Sequence, residues 1–164
     1  MGQEGDRLIE LDYLYNTADK LYTQFARSCG LSSCAYWMLY DLELAGGTAP
    51  LRRLCESWAY SKQTINSALK TLEARQLIAL DFCEGSRKNK VAALTEAGRA
   101  FSRRHIVPAM QAERRAFRRL SEPDREQLLA LVREYTAALE AEFKSMQDAR
   151  GRKCPAGKEG EAHE

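Results

Sequence analysis

Apolar side chains recur along the chain in two rhythms, and the switch between them marks out its parts. Leu8, Leu11, Leu14 or Tyr15, Ala18, Leu21 or Tyr22, and Phe25 fall three and four apart, which predicts a long amphipathic helix stopped by Gly30. Trp37, Tyr40 and Leu44 repeat the spacing behind Ser32 and Ser33, either of which can cap a second helix, and Gly46-Gly47 ends it. Leu51, Leu54, Cys55 and Trp58 sit at i, i+3, i+4 and i+7, so a short third helix follows with Arg52 and Arg53 off its apolar face. Ser61 caps a fourth, whose inward stripe is Ile65, Ala68, Leu69 and Leu72.

The period then changes. Ile78-Ala79-Leu80-Asp81-Phe82 and Val91-Ala92-Ala93-Leu94 are short β-prone runs, and the segment from Cys83 to Lys90 between them makes a hairpin with a basic tip. Thr95-Glu96-Ala97-Gly98 opens a helix carrying Phe101, Ile106 or Val107, Met110 and Phe117, in which Pro108 predicts a kink or break. Ser121-Glu122-Pro123-Asp124 starts the last helix, with a capping hydroxyl and acids matched to the helix dipole. Its stripe of Leu128, Leu131, Val132, Tyr135, Leu139 and Phe143 needs a partner. From Asp148 onward the composition is that of a flexible tail.

A chain of 164 residues, 45% apolar and 29% charged, is an ordinary globular composition, and one domain is the starting expectation. No basic flank with an apolar core opens the sequence, and no run approaches the ~20 apolar residues that span a bilayer, so the expected location is cytoplasmic, without membrane association. The five cysteines, Cys29, Cys34, Cys55, Cys83 and Cys154, form no CxxC pair, and only His105 and His163 accompany them, which argues against a metal site. Buried or idle thiols in a reducing compartment are the favoured reading, with an oxidation-sensing role for Cys29 and Cys34 as the alternative. No nucleophile-base arrangement, metal-ligand spacing or phosphate-cradling glycine loop is visible, so neither an enzyme nor a cofactor is expected.

The net charge of +2 decides nothing, but its distribution does. Eight Lys or Arg stand against four Asp or Glu between Arg52 and Lys90, and seven against one between Arg99 and Arg119, whereas Met1 to Ala26 holds two basic and five acidic residues. Clustered cations can neutralise phosphates and release counterions, although a solvated face has the same composition. On the fourth helix Gln63, Asn66, Ser67 and Lys70 share one face opposite the apolar stripe. Amides match the major-groove edge of adenine, and Lys reaches guanine acceptors or a phosphate. At the hairpin tip Arg87, Lys88 and Lys90 place three cations in four residues, a cost that an anionic DNA backbone or minor groove would offset.

This order of elements resembles the multiple antibiotic resistance regulator (MarR) family of bacterial transcription factors. The likeness is carried by Leu54-Cys55-Glu56-Ser57-Trp58, by Ser61-Lys62-Gln63-Thr64-Ile65-Asn66-Ser67-Ala68-Leu69-Lys70-Thr71-Leu72-Glu73, and by Lys90-Val91-Ala92-Ala93-Leu94-Thr95-Glu96-Ala97-Gly98. It covers about residues 6 to 145. The fold it implies is mainly α with a small β-hairpin wing: an N-terminal dimerisation helix over 1–30, a winged helix-turn-helix over 31–98, C-terminal dimerisation helices over 99–147 and a tail over 148–164.

By resemblance, a homodimer would set each recognition helix in a major groove of double-stranded DNA and each wing over a minor groove, on a palindromic operator with half-sites ~34 to 36 Å apart. The reading residues would be Ser61, Lys62, Gln63, Thr64, Asn66, Ser67 and Lys70, with Arg87, Lys88 and Lys90 on the wing. Repression relieved by a small aromatic effector or an oxidisable cysteine is the regulation implied. Tyr22, Tyr36, Trp37 and Tyr40 could stack on such an effector, with core packing the favoured alternative.

The chain departs from the family pattern in three places. Where the wing usually has Asp, one residue, then Arg, it has Ser86 and Lys88, leaving open whether Arg87 or Lys88 enters the minor groove. Gln76 stands where the turn after the recognition helix commonly has Gly. The peroxide-sensing branch carries its cysteine near the start of the first helix, a region that has none here. The rival from another class is a winged helix that binds proteins, for which a basic wing would be unnecessary.

Overall fold

The computed structural model describes residues 3–82 and 89–151. Among them the order is α1 (Gln3–Ser28), α2 (Ser33–Leu44), β1 (Thr48–Pro50), α3 (Leu51–Glu56), α4 (Lys62–Ala74), β2 (Ile78–Phe82) and β3 (Lys90–Leu94). There follow α5 (Glu96–Phe101), a π-helical turn (Ser102–Ile106), α6 (Val107–Phe117) and α7 (Glu122–Gly151). The fold is mainly helical with a small antiparallel sheet, the class that the periodicities predict. By their internal packing the residues fall into two compact units, Met1–Glu113 and Arg114–Glu164. Asp148 to Gly151, assigned from composition to the tail, continue α7.

Side-chain oxygens begin four of the helices, α2, α4, α5 and α7. Ser32, not Ser33, caps α2 by accepting the Ala35 N–H, and Ser61 and Thr95 do the same for Thr64 and Gly98 at α4 and α5. Ser121 accepts the Asp124 N–H at the start of α7. The ends of α1, α2 and α4 share another device: Leu31 N–H to Ala26 C=O, Gly47 N–H to Leu42 C=O and Leu77 N–H to Leu72 C=O close six-residue loops around a left-handed residue. At the first two ends that residue is Gly30 or Gly46, and at α4 it is Gln76, with φ of 55°. A side chain thus occupies a conformation that only glycine adopts without strain.

The sheet has three strands in the order β1-β3-β2, one more than the hairpin read from sequence. Thr48-Ala49-Pro50 pairs with Ala93-Ala92-Val91, and Ile78 to Phe82 pair with Leu94 to Lys90. A three-residue strand ending in proline has too few positions to show alternation.

The core of the first unit surrounds α2, in which Cys34, Ala35, Tyr36, Trp37, Met38, Leu39 and Leu42 are all buried. Against it pack Ala26 from α1, Leu54 from α3, the predicted α4 stripe of Ile65, Ala68, Leu69 and Leu72, and Ile106 from the π turn. Arg75 fastens the end of α4 by donating to the Gly30 carbonyl at 2.7 Å, with its guanidinium 5.3 Å from the Phe101 ring centroid. Thr95 ties wing to helix, donating its hydroxyl to the Gln76 carbonyl and its N–H to the Leu77 carbonyl.

Pro108 does not break the helix. Its ring would strike the carbonyl four residues back, that of Arg104, and the chain widens there into the π turn, closed by the Val107 N–H bonding to the Ser102 carbonyl. Ser102, fully buried in that turn, donates its hydroxyl to Glu43 on α2 at 2.5 Å.

Gly98 has no room for a side chain, because an added Cβ would lie 1.9 Å from the Leu77 carbonyl oxygen. Gly98→Ala must displace backbone and is expected to cost ~1 to 3 kcal/mol of stability in denaturant unfolding. Gln76→Gly, which relieves the left-handed strain, should gain about 0.5 to 1 kcal/mol by the same measurement.

Candidate nucleic-acid interface

Helix α4 is polar outside and apolar inside. Ser61, Lys62, Gln63, Thr64, Asn66, Ser67 and Lys70 are all exposed, while Ile65, Ala68, Leu69 and Leu72 are buried between them. The buried row holds the helix, and the exposed row remains available for contact. Ser61 and Thr64 hydroxyls lie 2.8 Å apart at the first turn. An open groove of about 450 Å³ follows one side of the helix, lined by Ser32, Gln63, Thr64, Ser67, Ala68 and Thr71, so its polar walls are mostly hydroxyls. Such a surface can exchange hydrogen bonds with base edges or phosphate oxygens.

The turn that leads into α4 is anchored by tryptophan. The sequence pattern places Trp58 on the third helix, but α3 stops at Glu56, where the Ser57 hydroxyl bonds back to the Arg53 carbonyl at 2.8 Å and the Tyr60 N–H closes onto the Trp58 carbonyl. Trp58 still points inward. Its ring stacks on Trp37 with centroids 4.2 Å apart and planes 23° apart, and its Nε1–H donates to Asp41 on α2 at 2.8 Å. Arg52 pairs with Glu56 at 2.7 Å on the outer face of α3, a fully exposed bridge of little energetic weight.

On the wing, Lys90 is exposed at the start of β3, opposite Phe82, with its ammonium 5.5 Å from that ring's centroid. The stacking leans the lysine stem on an aromatic face and leaves the charge in solvent. Arg87 and Lys88, together with Ser86 at the Asp position of the pattern, lie outside the described residues.

Tyr22, Tyr36, Trp37 and Tyr40 come together as core packing. Trp37 touches Tyr22 at 4.7 Å, Tyr36 at 5.1 Å and Tyr40 at 5.2 Å between centroids, so the rings occupy one another's faces. Burial, followed by the hydrogen bond to Glu113, pushes the Tyr22 phenol well above its ordinary range, and burial with the nearby Glu113 charge pushes Tyr36 up to about 12. Cys29 and Cys34 are buried, and the Cys34 thiol is pushed up, first by burial and then by the charge of Cys55. A thiol held protonated lacks the thiolate that oxidation sensing uses.

Two acids escaped the sequence reading. Asp41 holds the Trp58 indole, and Glu113 accepts from both Tyr22 and Tyr40. The signal for Glu113 was there: it is the one acid in the basic stretch from Arg99 to Arg119.

No protein-family model matches the sequence, and no curated protein matches it either. Solved structures do match. AbsC, a MarR family transcriptional regulator from Streptomyces coelicolor, superposes with a TM-score of 0.70 at 19% identity, over 86% of this chain and 97% of its own. NMB1585, a MarR family regulator from Neisseria meningitidis, gives 0.69 at 22% identity over 87% and 98%.

The fold is the MarR winged helix. Sco3205, a MarR family transcriptional regulator from Streptomyces coelicolor solved in complex with DNA, shares it with a TM-score of 0.62 at 20% identity, over 85% of this chain and 90% of its own. Within the MarR fold α3 and α4 form the helix-turn-helix and β2–β3 the wing, as the resemblance implies.

If the Trp58 contact sets the entry to α4, then Trp58→Ala should destabilise the first unit by ~3 to 5 kcal/mol. Thermal unfolding followed by circular dichroism measures the loss.

Proposed function

We propose that this chain is a sequence-specific regulator of transcription that binds double-stranded DNA as a homodimer, acting as a repressor at a palindromic operator. The observation that carries the reading is the two-sided character of α4: a buried apolar row locks the helix, and an exposed row of Gln63, Asn66, Ser67 and Lys70 has the donors and acceptors that base edges require. Lys90 on the wing, with Arg87 and Lys88 in the adjoining sequence, supplies charge for the phosphate backbone. A DNA complex of a structural neighbour supports the same use of the fold.

The dimer is supported by apolar surface that water does not favour. On α1, Leu8, Ile9, Tyr13, Leu14 and Leu21 are exposed, Tyr13 by 70%, and on α7 Leu128, Leu131, Phe143 and Met146 are exposed as well. Faces of this extent mark interfaces, and a second copy of the chain would cover them. Regulation by a small aromatic effector or by cysteine oxidation has less support, since the aromatic group is packed on itself and Cys29 and Cys34 are buried.

The test is selection of a random duplex pool on the purified protein, followed by titration of the enriched sequence against scrambled duplex at two salt concentrations. A palindromic winner is expected. Asn66→Ala and Gln63→Ala should each lose ~1 to 3 kcal/mol of discrimination at particular base pairs, whereas Lys90→Ala should weaken all sequences alike. Equal losses on both duplexes for all three variants would remove the recognition-helix assignment. No enrichment would favour a winged helix that binds protein instead. Light scattering at micromolar concentration should return the mass of a dimer, and a monomer mass would refute that part.

A further inference from the structure

Besides the Thr23–Ser33 hydroxyl contact between α1 and α2, the hydrogen bonds that tie both helices to α6 meet on one side chain. Glu113 on α6 receives the Tyr22 phenol of α1 on one carboxylate oxygen at 2.5 Å and the Tyr40 phenol of α2 on the other at 2.6 Å. Seven arginines flank it between Arg99 and Arg119, yet among the described residues no cation lies within ion-pair distance of it. A half-buried carboxylate without a cation depends on its hydrogen bonds, and two phenol donors supply them. These O–H···O⁻ bonds are short, so they fix the separation of the helices more closely than neutral bonds would.

From this clasp the contacts continue to the reading helix. Tyr22 and Tyr40 lie against Trp37, Trp37 stacks on Trp58, and Trp58 is held to α2 through Asp41. Trp58 stands three residues before Ser61, the cap of α4. Each step of the path is a direct ring contact or hydrogen bond, so a displacement at α6 has a continuous route to the start of α4.

We infer that Glu113 is a positioning residue for DNA reading: its carboxylate sets the place of the α2 aromatic row against α6, and the Trp37–Trp58 stack passes that setting to the first turn of α4. The inference rests on the DNA-reading function proposed above. Glu113→Gln keeps the shape but leaves one oxygen to accept a phenol, at ~2.7 to 2.8 Å without the charge, while its amide NH2 must donate to the other phenol at ~2.9 Å. It also removes a negative charge, which by electrostatics alone favours every DNA sequence. Lost operator binding would therefore come from geometry.

The experiment compares wild type, Glu113→Gln, Tyr40→Phe and the double variant on the enriched duplex and on scrambled duplex, and records the circular-dichroism couplet of the stacked indoles. Trp37 and Trp58 are the two tryptophans of the chain, so the couplet reads their stack, and its change is judged on Glu113→Gln, which leaves every ring next to Trp37 in place. Each single variant is expected to bind the enriched duplex about tenfold more weakly, the scale of one hydrogen bond lost at a carboxylate, with scrambled duplex unaffected and the couplet altered. The double variant should be no worse than the singles, because both open the same clasp. Unchanged operator binding, equal losses on both duplexes, additive losses or an unchanged couplet would overturn the inference. Should wild type select no operator, the function proposed above fails by itself. The couplet then decides transmission: altered by Glu113→Gln it supports the path from the clasp to the stack, and unaltered it overturns it.

Discussion

The first unit depends on the burial of α2 around its whole circumference. Six consecutive residues, Cys34 to Leu39, are buried, and six residues at ~100° each pass every side of a helix. Such a helix has no face to give to water, so α1, α3, α4 and the π turn must close around it. Its few polar groups serve as fastenings, each to a different neighbour: Tyr40 to Glu113 on α6, Asp41 to Trp58 before α4, and Glu43 to Ser102 in the π turn. The core therefore has directional contacts that fix register, which apolar packing alone leaves loosely specified.

The surrounding helices have the opposite character. Helix α4 gives its apolar side to α2 and keeps a polar row outside, so rigidity and availability reside on the two faces of one element. On α1 and α7 the exposed side is partly apolar. These are two kinds of unfinished surface, one suited to a polyanion with hydrogen-bonding edges and one to another apolar face.

How much of this was legible in the sequence followed from the range of the forces involved. Caps are local, and Ser61 and Ser121 were visible because a hydroxyl and the N–H it accepts are three residues apart, whereas at α2 the sequence left Ser32 and Ser33 as equal choices. The hairpin and the α4 stripe were visible because burial on one side leaves a period. Trp58 kept the apolar spacing although α3 had already ended, since its inward direction is set by the Trp37 face rather than by a helix. Strand β1 and the Glu113 clasp depend on partners 41 to 91 residues away along the chain, and periodicity carries no record of such distances. Gln76 was noticed through the family pattern, as a side chain where glycine is common, and its φ of 55° puts it in the left-handed conformation that costs Gln more than Gly. The exposed row on α4 was readable as polar, but its use was not, because solvated helices share that composition.

The π turn also acts as a phase setting. An α-helix advances ~100° per residue, and the wider turn at Ser102–Ile106 absorbs part of that advance before α6 begins. The azimuth of Glu113 is therefore decided upstream, by Pro108 and the ring clash that the widening avoids. The same residues wound as a regular α-helix would turn further and carry the carboxylate round the helix, away from both phenols. In that sense the length of the connection is as much a part of the site as the acid itself, and an insertion or deletion there would be felt at a side chain seven or more residues distant.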